Sequence, residues 1–188
     1  FYPAKNLGSM GDGGAVLTND ENIYKELTLL RDHGRDPATG EVVSWGRNSR
    51  LDNLQAAILN YFFKEYKSTI ERRRQIAFMY NQELSSIYDI ILPPPPDEGD
   101  HFDVYQNYEI RAKDRDQLKE YLFQNGVGTL VQWSGKAIHQ FKNLGFIDDL
   151  PFTDKVFTEI LMLPLNMFVT DNEIVYICDH INKFYKRK

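Results

Sequence analysis

Short apolar runs and capped amphipathic stretches share this 188-residue chain, and they predict a protein of mixed helix and strand, α+β after Pro96. Three regions carry the reading. A glycine-punctuated loop, Phe1–Gly14, leads into an apolar run at Ala15–Leu17 that has the composition of a buried strand. Two long helical patterns fill residues 49–63 and 68–86. After Pro96, strand-like and helix-like segments alternate. The strand at Ala15–Thr18 has no pairing partner in the first fifty residues, so it is expected to belong to a larger sheet whose other strands lie upstream.

Taken in order, Thr18-Asn-Asp-Glu21 has the spacing of a capping box and predicts a helix from residue 19 or 20 to Arg31, striped by Ile23, Leu27, Leu29 and Leu30. Asp36–Gly40 is a turn-rich loop, and Glu41–Trp45 a short extended segment. Ser49-Arg-Leu-Asp52 predicts the next helix start, followed by Leu51, Leu54, Ile58, Tyr61 and Phe62 at helical spacing. Ala56, Ala57, Leu59 and Phe63 widen that face enough to suggest a subunit interface. The helix over 68–86 buries Ile70, Ile76, Ala77, Tyr80, Leu84 and Ile87 in this reading. Arg72, Arg73 and Arg74 on it read as a solvated face with i,i+4 partners in preference to a phosphate site.

Pro93–Pro96 is stiff and residues 97–100 are a polar turn, which predicts a domain boundary and a division into 1–92 and 93–188. Beyond it the pattern gives a strand at Val104–Ala112 and a helix capped by Asp114 and ending near Asn125-Gly126. A strand at Val127–Trp133 and a helix at Thr153–Met162 follow. Thr170–Glu173 caps the last helix, which runs to about Tyr185. Ile174, Ile177, Cys178, Ile181 and Phe184 form the core face of that helix, making Cys178 a buried small hydrophobe.

Composition narrows the function classes. Lys+Arg of 22 against Asp+Glu of 27 gives a net charge of −5 with no basic block, which argues against nucleic acid or an anionic membrane as partner. A single cysteine rules out an intrachain disulfide framework and leaves no cysteine-based metal cluster. No apolar run has the length of a membrane span and the first residues lack a signal-peptide pattern, so a cytoplasmic enzyme is expected.

The candidate chemistry starts at Lys5, an isolated amine among aromatics, a proline and glycines. Burial would lower its pKa, and a neutral amine condenses with carbonyls. Asn48 and Arg50, an amide and a guanidinium two residues apart before a helix start, suit an anion such as phosphate or carboxylate. A turn-forming Asn48 and a surface-paired Arg50 are the alternative. His33 reads as a helix-end residue. Trp133 can stack on a ring or base, and His139 fits either a buried structural histidine or a ligand contact.

The wording of several stretches is more specific than their composition. FYPAKNLGSMGDGGAVLTND, Asp32-His33-Gly34, GRNSRLDNLQAAIL (46–59), ERRRQIAFMYNQEL (71–84) and Leu163-Pro164-Leu165 occur in that order. They resemble the motifs of the DegT/StrS-type aminotransferases, which act mostly on nucleotide-linked keto sugars. The resemblance implies an α/β protein with the fold type I transferase fold that binds pyridoxal 5'-phosphate (PLP), with residues 1–92 ending the large domain and 93–188 forming the small α+β one. It implies that Lys5 carries PLP and is the catalytic amine. It also implies a homodimer with shared active sites, in which Asn48 reaches the PLP phosphate of the other subunit with Arg50 close by. The substrate is then a nucleotide sugar, with glutamate as amino donor, and Trp133 and His139 line its pocket. Relatives with His-Tyr where this chain has Gln132-Trp133 differ there, which bears on the substrate and not on the reaction class. Family members are about twice as long, so this chain corresponds to a C-terminal half and is expected to be inactive alone. The contrasting reading is a non-catalytic assembly or phosphate-binding module.

Overall fold

A computed structural model describes residues 1–96 and 102–186. The chain divides into two compact units, Phe1–Lys67 and Ser68–Lys188.

The first unit holds α1 (Glu21–Arg31) and α2 (Asn53–Phe63). Asp20, not Thr18, caps α1: its carboxylate accepts from Asn22 N at 2.8 Å and Ile23 N at 3.1 Å. The Thr18 hydroxyl instead accepts from Asp20 N, which fixes the approach to the helix. At the other end His33 (φ 62°) and Gly34 (φ 72°) turn left-handed, and Gly34 N returns to Leu29 O at 2.8 Å. The chain then doubles back, with bridges Arg35↔Val42 and Asp32↔Asn48. A Cβ on Gly34 would stand 1.8 Å from Ser44 O, so this close crossing requires glycine. Asp52 occupies the N-cap of α2 without a side-chain bond, while Ser49 N is spent on Arg31 O at 2.9 Å; Ser49 therefore does not open the helix.

Neither helix of this unit is packed over its whole apolar face. α1 buries no residue and α2 buries only Leu59, leaving Leu54, Tyr61, Phe62 and Phe63 exposed. The expected strand at Ala15–Thr18 is not formed. Among the described residues it joins no ladder, and Val16 and Leu17 are 70% and 94% exposed. A strand exists through its neighbours, and the unit offers this segment none.

The second unit is a sheet covered by helices. α3 (Tyr66–Leu84) begins at the division between the units. After it come β1 (Ile90–Ile91), β2 (Tyr108–Ala112), α4 (Arg115–Gln124), α5 (Pro151–Glu159), β3 (Ile160–Leu163) and α6 (Asp171–Lys186). The strands form an antiparallel sheet in the order β1-β2-β3, with Ile90 opposite Ala112 and Ile110 opposite Leu161. Along β2, Tyr108, Ile110 and Ala112 point inward at period two. They meet Ile76, Ala77, Tyr80 and Leu84 of α3, Leu118 and Leu122 of α4, and Ile174, Ile177, Cys178 and Ile181 of α6 in one core. Burial of this many large side chains, each contributing about 1.5–3 kcal/mol, makes the core the main source of stability in this unit.

Five expectations change here. The units part at 67/68, ahead of the expected 92/93 boundary, because the apolar face of α3 lies in the second unit's core. Pro94 is held by Tyr105, whose hydroxyl donates to Pro94 O at 2.7 Å; the expected polar turn at 97–100 lies outside the described residues. The arginine triplet is not a solvated face. Arg73 and Arg74 are 8% exposed and donate to backbone carbonyls, Arg73 to Tyr105 O at 3.0 Å and Arg74 to Asp103 O at 2.7 Å. Arg72 pairs with Asp171 at 2.7 Å. The helix expected over 153–162 stops at Glu159, and Ile160–Leu163 becomes β3, an apolar run that continues the helix in composition but pairs with β2. The strand expected at 127–133 shrinks to one bridge, Leu130↔Met162, because the backbone turns left-handed at Trp133 and Ser134. Residues 104–107 stay out of β2, since Tyr105 (φ 46°) bends the chain there.

Candidate functional site

Lys5 sits on a loop closed upon itself. Its backbone N donates to Tyr2 O at 2.9 Å, making the tight turn that displays it. Ser9 fastens the base of the loop. Its N donates to Phe1 O at 2.8 Å, and its hydroxyl lies 2.9 Å from Phe1 O and 2.7 Å from Gly11 O. Phe1 N in turn donates to Gly13 O at 2.6 Å. Gly8 passes so near the turn that a Cβ would lie 2.7 Å from Pro3 O. The loop is pinned to α2 where Met10 N donates to Gln55 Oε1 at 2.9 Å. The result is an exposed lysine on a backbone held from several sides.

Asn48 and Arg50 stand on the returning limb of the crossing just before α2. The limb is fixed by His33 N to Arg47 O at 3.0 Å, Arg47 N to Leu30 O at 2.8 Å and the Asp32↔Asn48 bridge. Arg50 Nε donates to Asn48 Oδ1 at 3.3 Å, and Arg50 Nη1 pairs with Asp32 Oδ1 at 3.1 Å. Engaging the amide oxygen orients the Asn48 side chain and makes its NH2 the donating end. Asp32 offsets part of the Arg50 charge. Asn48 and Arg50 are both exposed, and both are placed by the same α1 turn that carries His33.

Trp133 and His139 belong to the second unit. Trp133 is 77% exposed in a left-handed turn, while His139 is 4% exposed with Nε2 at 2.9 Å from Asp154 Oδ1. The geometry gives His139 a structural partner on α5 and gives Trp133 a free ring face for stacking. Burial pushes the Cys178 thiol up to about 12 and raises the Tyr80 and Tyr108 hydroxyls, so these buried groups stay neutral and inert.

Three supporting residues had no distinct signal in the sequence. Ser9 looks like one more small residue of a glycine-rich loop. Gln55 lies in an otherwise apolar helical pattern, where a polar residue facing the preceding loop was the available clue. Asp154 follows Pro151 within the first turn of α5, a position usual for helix-dipole acids.

Residues 1–182 match the model of the DegT/DnrJ/EryC1/StrS aminotransferase family. A pleiotropic regulatory protein of Geobacillus stearothermophilus is 35% identical over 190 residues, covering 99% of this chain and 50% of that protein. The UDP-2-acetamido-2-deoxy-3-oxo-D-glucuronate aminotransferase of Pseudomonas aeruginosa is 32% identical over 95% of this chain and 48% of its own length. A crystal structure of a DegT DnrJ EryC1 StrS aminotransferase from Brucella abortus superposes with a TM-score of 0.89 at 30% identity, over 98% of this chain and 49% of that one. The structure of S. venezuelae DesV in complex with a ketimine intermediate gives 0.92 at 29% identity, over 100% and 51%. The chain thus spans about half the length of the curated relatives it matches and has the mixed helix-and-strand fold of the fold type I transferases. On the family match and the relatives together, the chain belongs to the DegT/DnrJ/EryC1/StrS aminotransferase family.

Proposed function

We propose that this chain forms the part of a PLP-dependent aminotransferase that carries the catalytic lysine. In this reading the protein moves an amino group from glutamate to a nucleotide-linked keto sugar, in the biosynthesis of polysaccharide or antibiotic sugars. The observation that carries the reading is the Lys5 loop: an exposed amine on a backbone tied by Ser9, Gly8 and Gln55. Catalysis rewards that arrangement, because a reacting group held in place needs no ordering during reaction.

The residues present fit the cofactor. PLP, when bound, supplies the electron sink that makes amino transfer possible. Lys5 Nζ would hold it covalently and, once released, move a proton at the reacting carbon. The Asn48 NH2 and the Arg50 guanidinium offer donors for its phosphate, with Asp32 holding the guanidinium in orientation. We take Asn48 to serve the neighbouring subunit of a homodimer whose contact includes the exposed apolar face of α2. In this reading Trp133 stacks on the sugar nucleotide, and His139, the other residue assigned to that pocket, is held by Asp154. We expect the enzyme in the cytoplasm.

The test is borohydride reduction of the complete enzyme that contains this chain, treated with PLP, followed by peptide mapping. Label on the Lys5 peptide, lost in Lys5→Ala together with turnover, is the expected result. PLP fixed to a different lysine overturns the assignment. Absence of any label with intact phosphate binding would support a non-catalytic phosphate-binding or assembly module instead.

A further inference from the structure

Trp133 sits where the backbone resists sitting. Trp133 (φ 50°, ψ 34°) and Ser134 (φ 56°, ψ 27°) are both left-handed, and Gly135 follows at φ 73°. Two successive non-glycine residues in that region carry a steric cost, and such turns persist only where their surroundings hold them.

Both flanks of the turn are held by one continuous segment. On the N-terminal side, Leu130 exchanges two backbone bonds with Met162 of β3, at 3.2 and 2.8 Å. On the C-terminal side, Ala137 N donates to Gln140 Oε1 at 2.9 Å, Gln140 Nε2 donates to Asp154 Oδ1, and His139 Nε2 lies 2.9 Å from the same oxygen. Asp154 is on α5, which passes directly into β3. That segment is itself fastened to the sheet and α4. Arg111 reaches Glu159 Oε2 through Nε at 2.9 Å and Nη2 at 2.7 Å, and Arg115 donates to Ile160 O at 2.9 Å. A single carboxylate oxygen therefore links buried His139 and half-buried Gln140 to the framework, four and five residues beyond Gly135 at the end of the strained turn.

We propose that Asp154 is a positioning residue: by bridging His139 and Gln140 it sets the orientation of the Trp133 ring and so tunes which nucleotide sugar the protein accepts. The proposal rests on the reading that Trp133 stacks on substrate. Asp154→Ala removes the bridge, whereas Asp154→Asn keeps an acceptor oxygen in the same place.

The experiment measures time-resolved fluorescence anisotropy of Trp133, isolated as the difference from a Trp133→Phe control, alongside steady-state kinetics with a series of UDP- and dTDP-linked keto sugars. Thermal melts establish that each variant is folded. Asp154→Ala should about double the amplitude of fast ring motion, and raise KM for the preferred sugar nucleotide roughly tenfold with kcat within about twofold. Asp154→Asn should restore most of both. Unchanged ring motion in Asp154→Ala overturns the proposal, and so does freed motion with the KM pattern intact. Should Asp154→Ala not fold, Gln140→Ala breaks the same bridge and is read in the same way. If the complete enzyme that contains this chain shows no aminotransferase activity, the functional reading fails on its own, and the anisotropy still decides whether Asp154 orients Trp133.

Discussion

Gly8→Ala is the sharpest perturbation of the Lys5 loop, because it adds one methyl group and removes no contact. The new Cβ would lie 2.7 Å from Pro3 O and 3.1 Å from both Pro3 C and Tyr2 O. All three are backbone atoms of the turn that displays Lys5, and Tyr2 O is the acceptor of the Lys5 N–H bond. Ordinary contact begins near 3.4 Å, so the turn must retreat by about 0.7 Å, an overpacking that costs about 1–3 kcal/mol. Ser9 and Gln55 hold the rest of the loop and direct that displacement into residues 2–5. A reacting group misplaced by nearly 1 Å loses on the order of 10²-fold in rate. Gly14→Ala is the matched control, since a Cβ there meets nothing within 4 Å. The assay is turnover of the complete PLP-loaded enzyme that contains this chain, with glutamate and a keto sugar nucleotide, with PLP retention after dialysis and thermal melts beside it. Gly8→Ala should lose roughly 10- to 100-fold in kcat/KM while remaining folded, and Gly14→Ala should stay within about twofold. Equal turnover and PLP retention in the two variants would refute the claim that this backbone positions Lys5.

Two further outcomes follow from the site and the core. If active sites are shared between subunits, mixing inactive Lys5→Ala with inactive Asn48→Ala/Arg50→Ala protein should restore part of the activity, and mixed dimers that form without recovery argue for sites built within one subunit. Cys178, held up to about 12 by burial and by Glu83 and Asp179, and the raised hydroxyls of Tyr80, Tyr108 and Tyr185 stay protonated in the native state at pH values where the unfolded chain releases those protons. Their contribution to stability is complete below the ordinary thiol value of 9.0 and declines as pH rises beyond it, so the urea midpoint should fall steadily between about pH 9 and pH 11; a flat midpoint would contradict it.

The helices were legible because their signals are local. Ile174, Ile177, Cys178 and Ile181 recur at helical spacing and are the buried face of α6, and Thr170 N donates to Glu173 Oε2 at 2.7 Å in the capping box its spacing announces. The sheet was less legible because pairing is not a local property. Ile160–Leu163 reads as more of α5 until Tyr108 and Ile110 lie beside it, and Ile90–Ile91 is too short to show a period. Nothing in Trp133-Ser134 announces a left-handed turn, which normally draws glycine or asparagine. At the candidate site, Lys5, Asn48 and Arg50 were picked out as words of a family motif. Ser9, Gln55 and Asp154 act through hydrogen bonds to partners 8, 45 and 15 residues away, which no short window displays.

The clasp between α3 and α6 bears on how the second unit is made. Arg72 meets Asp171 and Glu83 O meets Asn182, and each pair is separated by 99 positions. During synthesis at about 5–20 residues per second, α3 waits on the order of 5–20 s before its last helical partner has been translated. Through that interval Ile76, Ala77, Tyr80 and Leu84 lack the cover that α6 supplies in the finished core. The nascent chain therefore presents a greasy helix early and sheathes it late, which makes residues 76–84 the segment on which a ribosome-associated chaperone would be expected to act.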